Sequence, residues 1–318
     1  MKNLRILFMG TPEFAVTILE GLLKTTHEVV GVITAPDRPA GRGQKLRKSA
    51  VKLAAEQHEL TILQPTNLKN PEFQQELSSL KADLQIVVAF RMLPKAVWQM
   101  PPLGTFNLHA SLLPQYRGAA PINWALINGE ETTGVTTFFI DEKIDTGAII
   151  MQESISIGPN ESAGQLHDRL MHSGSELVLK TVNAIAQDQV TTSIQAQSAE
   201  LKTAYKLHNE NTKIDWTQDV ATIHNLIRGL NPYPGAWCNL HTNDGELRVK
   251  VYNAFAKGYP EDFPKQEPGF ITIKDKELLV HTLDGLINIQ ELQLPGKRKM
   301  QVKDLLNGFK FSEKSKML

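Results

Sequence analysis

The sequence predicts an α/β protein in which a doubly wound, mostly parallel sheet is followed by a smaller antiparallel β-barrel. In the first half of the chain, short apolar runs such as "LRILFMG" and "ADLQIVVAF" alternate with segments that carry apolar residues at helical spacing. This is the pattern of βαβ units in a parallel sheet. From about Asp215 the apolar runs are separated by Gly, Pro, Asn and Asp, which is typical of a small all-β domain.

The elements of the sheet are predicted in order along the chain. "LRILFMG" predicts a strand, and "TPEFAVTILEGLL" predicts a helix with Thr11 as N-cap and Pro12 in its first turn. Strands follow at "EVVGVIT", "TILQP" and "ADLQIVVAF", with helices at "SAVKLAAEQHEL" and "NPEFQQELSSL" between them. A helix at "PINWALINGE" leads to strands at "TGVTTFFI" and "GAIIMQESISI", and the long helical pattern that follows has a candidate break at Gly174.

The barrel is predicted from four strands at "LRVKVYNAF", "GFITIK", "ELLVHTL" and "LINIQELQL". Before it lies a polar stretch without strong periodicity, "QDQVTTSIQAQSAELKTAYKLHNENTK". We therefore predict a first domain at 1–189, a linker at 190–208 and a β-barrel domain at 209–318.

Composition excludes several classes of protein. Hydrophobic residues make up 41% of the 318 residues and charged residues 21%, which predicts an ordinary folded protein. No segment approaches the ~18 apolar residues of a membrane span, and the apolar run at the N-terminus breaks at Pro12, too early for a signal-peptide core. The single cysteine, Cys238, excludes an intrachain disulfide and a multi-thiolate metal site. We predict a cytoplasmic monomer that needs no metal, no membrane and no obligate protein partner.

Charge is balanced overall but is unevenly distributed. With 34 basic and 34 acidic residues, no global field points to a nucleic acid or a membrane. Two segments are nevertheless basic: 38–55 has six basic residues and no acidic one, and 297–318 has seven basic residues against two acidic ones. The basic residues of the first segment are Arg38, Arg42, Lys45, Arg47, Lys48 and Lys52.

The turn after the first strand, "FMGTPEF", lies where a dinucleotide-binding fold places its phosphate loop. It has one glycine, whereas the G-x-G-x-x-G pattern needs several so that backbone and helix can approach a pyrophosphate. Glu13 would also put a carboxylate at the same helix N-terminus. A nicotinamide or flavin oxidoreductase is therefore disfavoured.

The segment "FNLHASLLPQYRGAAP" contains the candidate catalytic residues. Residues i and i+2 of an extended strand point to the same side, so Asn107 and His109 should project together while Leu108 turns into the core. At the carboxyl end of a parallel strand both would face the ligand cleft. An amide and an imidazole can donate hydrogen bonds to a developing oxyanion. "FFIDEKIDTGAII" supplies a carboxylate to orient the imidazole, for which Asp145 is preferred over Asp141.

The same residues allow plainer interpretations. A histidine near a strand end is often structural, and Asp-Thr-Gly is a common turn. Ser111 lacks the G-x-S-x-G elbow of a hydrolase nucleophile, and His109 lacks a second histidine at the spacing of a helical metal site. The spacing of these residues alone leaves both a catalytic and a structural role open.

The segments "FNLHASLLPQYRGAAPINWALINGE" and "TGVTTFFIDEKIDTGAII" closely resemble the folate-dependent formyltransferases. The resemblance runs from "ILFMGTPEFAV" through "APDRPAGRGQKL" to "IDW", "IRGLNPYPGAW" and the terminal "DLLNG". It implies a Rossmann-like formyltransferase domain followed by an OB-like barrel that binds tRNA. It also implies that Asn107, His109 and Asp145 carry the chemistry, with Asn107 and protonated His109 stabilising the oxyanion.

The resemblance further implies the formyl donor, 10-formyltetrahydrofolate, and the two segments that bind it. One is "SLLP", and the other is "FRML", in a stretch one residue shorter than the commoner form of the family. The folate-binding residues implied are Ser111, Leu112, Leu113, Pro114, Phe90, Arg91, Met92 and Leu93.

The basic loop predicts the formyl acceptor. "PDRPAGRGQKLRKSAVK" combines Pro and Gly with a run of Arg and Lys, a composition suited to RNA phosphates. Its resemblance to the tRNA-inserting loop of some family members implies methionyl initiator tRNA as acceptor. Arg38, Arg42, Lys45 and Arg47 would bind it, with Arg42 as the principal contact, and the basic segment of the barrel would grip the acceptor arm. A formyltransferase of amino-sugar nucleotides and a non-catalytic tRNA-binding module remain as alternatives.

Overall fold

The computed structural model describes residues 2–40, 45–243, 245–312 and 315–318, with Ala40 and Lys45 described by their backbone alone. The chain divides into two compact units, each combining segments that are separate in sequence. The first unit comprises Met1–Gly118, Thr133–Ile155 and His167–Thr203. The second comprises Ala119–Thr132, Ser156–Leu166 and Ala204–Leu318.

The predicted alternation of strands and helices in the first half of the chain is confirmed. In chain order the elements are β1 (Arg5–Gly10), α1 (Glu13–Leu23), β2 (Glu28–Ile33), β3 (Arg38–Ala40), β4 (Lys45–Arg47), α2 (Ala50–Gln57), β5 (Ile62–Leu63), α3 (Pro71–Ser79), β6 (Leu84–Val88), α4 (Lys95–Trp98), β7 (Thr105–His109), β8 (Arg117–Gly118), α5 (Pro121–Ile127), β9 (Thr132–Phe139), β10 (Ile149–Ser156) and α6 (Ala163–Ala186). The elements that the sequence did not predict, β3, β4, α4 and β8, are too short to show a periodicity.

The central sheet has the strand order β10-β9-β7-β6-β1-β2-β5. Strands β5, β2, β1, β6 and β7 pair in parallel, and β9 is antiparallel to β7. The sheet is therefore mostly parallel, as predicted. From β1 the chain adds β2 and β5 on one side and later β6 and β7 on the other. The carboxyl ends of strands beside such a reversal form the crevice in which α/β proteins bind ligands.

Both faces of the sheet are covered by apolar side chains. On one face, Leu7 and Met9 of β1 pack in a cluster with Phe73 of α3 and Val97 of α4. Because side chains alternate along a strand, the equally buried Phe8 points to the opposite face. This is the arrangement of a doubly wound sheet and explains why its strands are apolar at successive positions.

The turn after β1 is tight because Gly10 has no side chain. A Cβ atom at Gly10 would lie 2.6 Å from Cβ of Ala15 and 3.1 Å from the carbonyl oxygen of Val88. Helix α1 begins at Glu13 with Pro12 as N-cap, one residue later than predicted from Thr11. Pro12 has an extended ψ of 176° and stays outside the helix, and its carbonyl accepts the first bond, from the Ala15 amide.

The candidate break of the long helix at Gly174 does not occur, because α6 continues through it. A Cβ atom at Gly174 would lie 2.8 Å from Cδ2 of Leu108 in β7. The glycine therefore serves the close approach of helix and strand, a tertiary constraint that helix propensity does not reveal.

The second half of the chain forms the predicted antiparallel barrel, with a helix of ten residues, a strand of seven residues and several short elements that the sequence did not predict. The elements are β11 (Thr203–Ala204), a 3-10 turn (Glu210–Thr212), α7 (Val220–Gly229), β12 (Ala236–Thr242), β13 (Gly245–Gly258), β14 (Ile271–Lys274), β15 (Glu277–His281), β16 (Gly285–Gln293), β17 (Met300–Gln301), α8 (Val302–Leu305) and β18 (Lys316–Met317).

The sheet of this unit has the strand order β14-β15-β16-β13-β12-β18, and it curls until its outer strands meet. Phe270, before β14, forms a bridge with Lys316 of β18, and the Met317 amide donates to the Gly269 carbonyl at 2.8 Å. The register of β13 shifts between Val251 and Ala254, and such bulges bend a strand. Side chains of α7 and all the long strands fill the core of this unit.

Candidate active site

The end of strand β7 carries Asn107 and His109 on one face of the sheet. Leu108, between them, packs against Gly174 of α6, as predicted, and side chains alternate along a strand. Asn107 pairs in register with Val87 of β6. Strand β6 lies next to β1, where the order of strands changes direction. Asn107 is partly exposed and His109 is buried. Both candidate donors thus lie at the carboxyl edge where the ligand crevice is expected.

The imidazole of His109 lies between a carbonyl oxygen and a carboxylate. Its Nε2 is 2.8 Å from the carbonyl oxygen of Tyr116. Because a carbonyl oxygen can only accept, Nε2 carries the hydrogen. Its Nδ1 lies 3.9 Å from Oδ2 of Asp145, with 8% of the His109 side chain and 16% of the Asp145 side chain exposed. That separation is too long for a hydrogen bond but short enough for an ion pair when the ring is protonated.

The loop after β9 contains both candidate carboxylates, and the structure gives them different surroundings. Asp141 accepts hydrogen bonds from the Thr146 hydroxyl at 2.8 Å and the Lys143 amide at 2.9 Å, so it stabilises the loop itself. Asp145 faces His109 and accepts a hydrogen bond from the Gly118 amide at 2.9 Å. Its φ of 54° lies in the left-handed region, where non-glycine residues are uncommon.

Three residues that the sequence did not single out complete these contacts: Tyr116, Gly118 and Gln195. Gln195 lies within the predicted linker but is 5% exposed, and its amide nitrogen donates to the carbonyls of Asp145 and Gly147. No signal in the sequence distinguishes Gln195 from the exposed polar residues beside it. Tyr116 and Gly118 act through backbone groups, which a pattern of side chains does not report.

The segment 111–114 lies against β9 rather than open to solvent. Ser111 is fully buried and its hydroxyl donates to the Gln115 carbonyl at 2.6 Å, so it is not paired with His109 as a hydrolase nucleophile would be. Leu113 packs with Phe138 and Ile149. Leu112 packs against Gly134, and Pro114 is partly exposed. The side chains at 111–113 therefore hold the backbone in place beside the end of β7.

The segment 90–93 borders an open groove of about 490 Å³ after β6. Leu93 and the partly buried Phe90 pack into the core, whereas Met92 is 66% exposed. The groove is lined by Thr66, Asn67, Leu68, Lys69, Arg91, Met92, Leu93, Pro94, Lys95, Trp98 and Glu142. The predicted residues Arg91, Met92 and Leu93 thus share one groove.

Arg91 is tied to the backbone on one side of this groove. Its guanidinium donates to the carbonyls of Pro65 and Thr66. Burial lowers the pKa of Arg91, and the nearby positive charge of Arg38 lowers it further. Of the basic loop, Arg38 therefore lies near enough to Arg91 for the two positive charges to interact.

The basic loop forms a short antiparallel hairpin of β3 and β4. Arg38 is directly opposite Arg47, and Ala40 is opposite Lys45. Both arginines are exposed, as is Leu46, at 69%. Arg42 lies outside the described residues, and of Lys45 only the backbone belongs to them.

Acidic residues just outside the hairpin neutralise two of the other cations. Lys52 pairs with Asp37 at 2.6 Å, and Lys48 pairs with Glu56 at 2.7 Å. The hydrogen bond from Lys52, followed by one from Gln64, lowers the pKa of Asp37. In the part of the chain that the structure describes, no ion pair involves Arg38 or Arg47. Their positive charges are therefore uncompensated.

Two kinds of site are absent from the residues that the structure describes. No group of three or more His, Cys, Asp or Glu side chains could hold a metal ion. Across the same ranges, no helix is long and apolar enough to span a bilayer.

Two family patterns match the chain. The one described as formyl transferase covers residues 2–182, and the one described as formyl transferase, C-terminal domain covers residues 206–310. A methionyl-tRNA formyltransferase of Flavobacterium johnsoniae is 58% identical, with 100% of each chain covered. Another, of Bacteroides fragilis, is 50% identical over 99% of this chain and 98% of its own. The chain belongs to the methionyl-tRNA formyltransferase family.

This membership makes the protein a formyltransferase and confirms the resemblance found in its sequence. Among solved structures, an N-formyltransferase from Helicobacter canadensis in complex with folinic acid and dTDP-3-aminofucose has a TM-score of 0.65. It is 22% identical, and the match covers 93% of this chain and 100% of that one. Likeness at this identity shows a shared fold and does not identify the formyl acceptor.

Proposed function

We propose that this protein transfers the formyl group of 10-formyltetrahydrofolate to the α-amine of methionyl initiator tRNA, giving formylmethionyl-tRNA for translation initiation. The observation that carries the chemistry is the buried imidazole of His109, which lies between the Tyr116 carbonyl and the Asp145 carboxylate beside Asn107. Full-length identity to methionyl-tRNA formyltransferases supports the acceptor.

The residues around the groove fit a folate. Its volume of about 490 Å³ is in the range of small-molecule sites. Apolar Leu93 and Trp98 suit a ring system, and Lys69 suits a carboxylate tail. When bound there, 10-formyltetrahydrofolate would supply the formyl group. The segments 90–93 and 111–114 would hold it beside the end of β7.

Hydrogen-bond donors at the end of β7 would stabilise the charge that develops in the reaction. As the methionyl amine attacks the formyl carbon, negative charge develops on the formyl oxygen. The Asn107 amide and the Nδ1–H of protonated His109 would donate to this oxygen. Because Nε2 is engaged by the Tyr116 carbonyl, Nδ1 is the ring nitrogen left for this role.

Asp145 would contribute its charge. Its carboxylate lies 3.9 Å from Nδ1, the distance of an ion pair with a protonated ring at a site with little exposure to water. Free α-amines have pKa values of about 8, so a usable neutral fraction exists without a strong base. The proton that the amine releases must reach N10 of the departing tetrahydrofolate for the reaction to balance, and we assign its transfer to Asp145.

The basic hairpin supports an RNA acceptor. Like charges directly opposite each other destabilise a strand pair, and Arg38 and Arg47 occupy such positions without an ion pair among the described residues. A phosphate between them would remove that repulsion. Arg42 and Lys45, between the two arginines in sequence, would add further phosphate contacts.

The decisive experiment is an assay of formyl transfer from 10-formyltetrahydrofolate with three acceptors in parallel: methionyl initiator tRNA, methionyl elongator tRNA and an amino-sugar nucleotide. A strong preference for the initiator is expected. Transfer only to the sugar would retain the chemistry at His109 but contradict the acceptor. Binding of tRNA without any transfer would contradict the catalytic proposal.

A further inference from the structure

We infer that Gln195 is a positioning residue, which holds the Asp145 loop at the distance from which its carboxylate acts on His109. The inference rests on the proposed function, because it assigns Gln195 to the same reaction. It also gives the segment between the two predicted domains a part in the active site rather than only a connecting role.

The side-chain amide of Gln195 links the Asp145 loop to Arg117. Its Nε2 donates to the carbonyls of Asp145 at 3.0 Å and Gly147 at 2.8 Å, which uses both amide hydrogens. Its Oε1 accepts from Nε and Nη2 of Arg117 at 3.0 and 2.7 Å. The amide is thus fully engaged at a residue that is 5% exposed.

A single tripeptide, 116–118, joins Gln195 to the candidate catalytic residues. The Tyr116 carbonyl accepts from His109, the Arg117 side chain donates to Gln195, and the Gly118 amide donates to Asp145. The Tyr116 amide in turn donates to the carbonyl of Lys202, seven residues beyond Gln195, at 2.7 Å. The tripeptide 116–118 therefore contacts the imidazole of His109, the carboxylate of Asp145 and the segment 195–202.

The backbone conformation of Asp145 shows why the loop must be held by contacts with other residues. Its φ of 54° is unfavourable for a residue with a side chain, and the Nδ1 to Oδ2 separation of 3.9 Å includes no direct hydrogen bond that would fix it. The carboxylate is therefore placed by the Gly118 amide and by the Gln195 bonds to the carbonyls of its own loop. Losing those bonds should let the loop relax away from His109.

Gln195→Glu tests this role because it separates the two contacts of the amide. A glutamate still accepts from Arg117 but has no N–H for the carbonyls of Asp145 and Gly147. Gln195→Ala removes both contacts. The matched control is Gln197→Glu, an identical change at an exposed position of the same segment.

Steady-state kinetics and hydrogen exchange, measured on each variant, decide the inference. We expect Gln195→Glu to lower kcat about 10- to 100-fold, the effect of misplacing a catalytic group by ~1 Å. The KM for 10-formyltetrahydrofolate should stay within about twofold of the unaltered protein. In the free protein, the Gly118 amide should exchange its hydrogen faster in Gln195→Glu than in Gln197→Glu, because its acceptor is Asp145. Urea unfolding midpoints identify any variant that is merely unfolded.

Each contrary result has a distinct meaning. A kcat within about twofold of Gln197→Glu would overturn the inference. So would a loss of kcat with unchanged Gly118 exchange, because the loss would then not act through Asp145. If the unaltered protein does not formylate methionyl-tRNA, the proposed function fails, while Gly118 exchange still decides whether Gln195 holds the loop.

Discussion

At the scale of single residues, a carbonyl oxygen determines how His109 can act. Tyr116 offers an acceptor to Nε2, so the hydrogen of a neutral ring lies on that nitrogen. Nδ1 then faces Asp145 and the end of the strand. Protonation adds the second donor at Nδ1. The donor that the proposed reaction needs is thus available only when the ring is charged.

Replacing His109 by alanine should lower kcat by ~10²–10³, the usual effect of losing one oxyanion donor. Affinity for methionyl-tRNA should stay nearly unchanged, because the phosphate contacts are elsewhere. Steady-state kinetics and tRNA binding measure the two effects, with His172→Ala, an exposed change on α6, as control. Unchanged turnover would remove His109 from the mechanism.

Replacing Asp145 by asparagine should lower kcat by about 100-fold with little change in stability. The asparagine oxygen can still accept from the Gly118 amide, and asparagine tolerates a positive φ, so only the charge is lost. Asp188→Asn is the matched control, because Asp188 has the same φ of 54° at an exposed site at the end of α6. Equal kcat values for the two variants, measured with methionyl initiator tRNA, would contradict the role of the charge.

At the scale of elements, the β3–β4 hairpin brings like charges together. The sequence shows a basic stretch, but the structure separates cations that are already neutralised, Lys48 and Lys52, from Arg38 and Arg47, which are not. Counting basic residues therefore overstates the charge available to a polyanion.

Arg47→Ala should weaken binding of methionyl-tRNA and reduce the slope of log K against log salt by about 1, the signature of one lost phosphate contact. Lys48→Ala, the neighbouring change, should leave the slope nearly unaltered because Glu56 already pairs with Lys48. Binding titrations at several salt concentrations measure both. Equal slopes for the two variants would contradict the placement of phosphates at Arg47.

The barrel contains a second element whose behaviour the structure explains, the connection from β13 to β14. Its residues enclose His281, which is fully buried. Nδ1 of His281 accepts from the Gln266 amide at 3.2 Å, and Nε2 pairs with the Thr272 hydroxyl at 3.0 Å. Burial lowers the pKa of His281 below its ordinary value of 6.5, and a proton on Nδ1 would oppose the Gln266 N–H.

Stability of the barrel should accordingly fall at acid pH. The unfolded chain takes up a proton on His281 near pH 6.5 while the folded barrel does not, so the stabilisation is complete above that pH and decreases below it. The slope is at most ~1.4 kcal/mol per pH unit for one group. Urea unfolding between pH 5 and 8 measures it.

A variant separates His281 from the other groups that titrate. The pH dependence should be shallower in His281→Gln than in the unaltered protein, whereas His208→Gln, at an exposed site in the same unit, should keep it. Some pH dependence of stability should remain even in His281→Gln, because a second buried histidine, His224, also has a lowered pKa. Burial is the larger cause of that lowering and the positive charge of Arg228 is the smaller one. Identical curves for the two variants would contradict the role of His281.

At the scale of the whole molecule, two units with different folds each enclose their own core. The only cysteine, Cys238, lies fully buried in the second, and burial raises the pKa of its thiol to about 12. Since the thiolate is the reactive form, Cys238 reports on the integrity of the barrel. It is a structural residue and has no part in the proposed chemistry.

Alkylation of Cys238 at pH 8 should therefore be very slow in the folded protein and fast in urea, because unfolding exposes the thiol and returns its pKa to the ordinary range. Mass spectrometry after timed exposure to iodoacetamide measures the rate. The dependence of that rate on urea should follow loss of the barrel's antiparallel sheet. Rapid alkylation of the folded protein would contradict the burial of this residue.

The sequence by itself determined the periodicity-based features. Apolar runs alternating with helical patterns predicted the sheet, and i, i+2 spacing put Asn107 and His109 on one face opposite Leu108. These follow from local geometry, which a short window of sequence contains. Gly174 shows the limit of prediction from such local patterns. Its role depends on Leu108, a residue 66 positions away that packs against it.

Only the tertiary structure decided which groups surround the imidazole. The Tyr116 carbonyl and the Gly118 amide are backbone groups that every sequence has, and Gln195 comes from a polar stretch that looks like an exposed linker. The tertiary structure also decided that Lys48 and Lys52 form ion pairs with carboxylates while, among the described residues, Arg38 and Arg47 do not. Hydrogen bonds and ion pairs form between groups that folding brings within about 3–4 Å, and no local pattern encodes that distance.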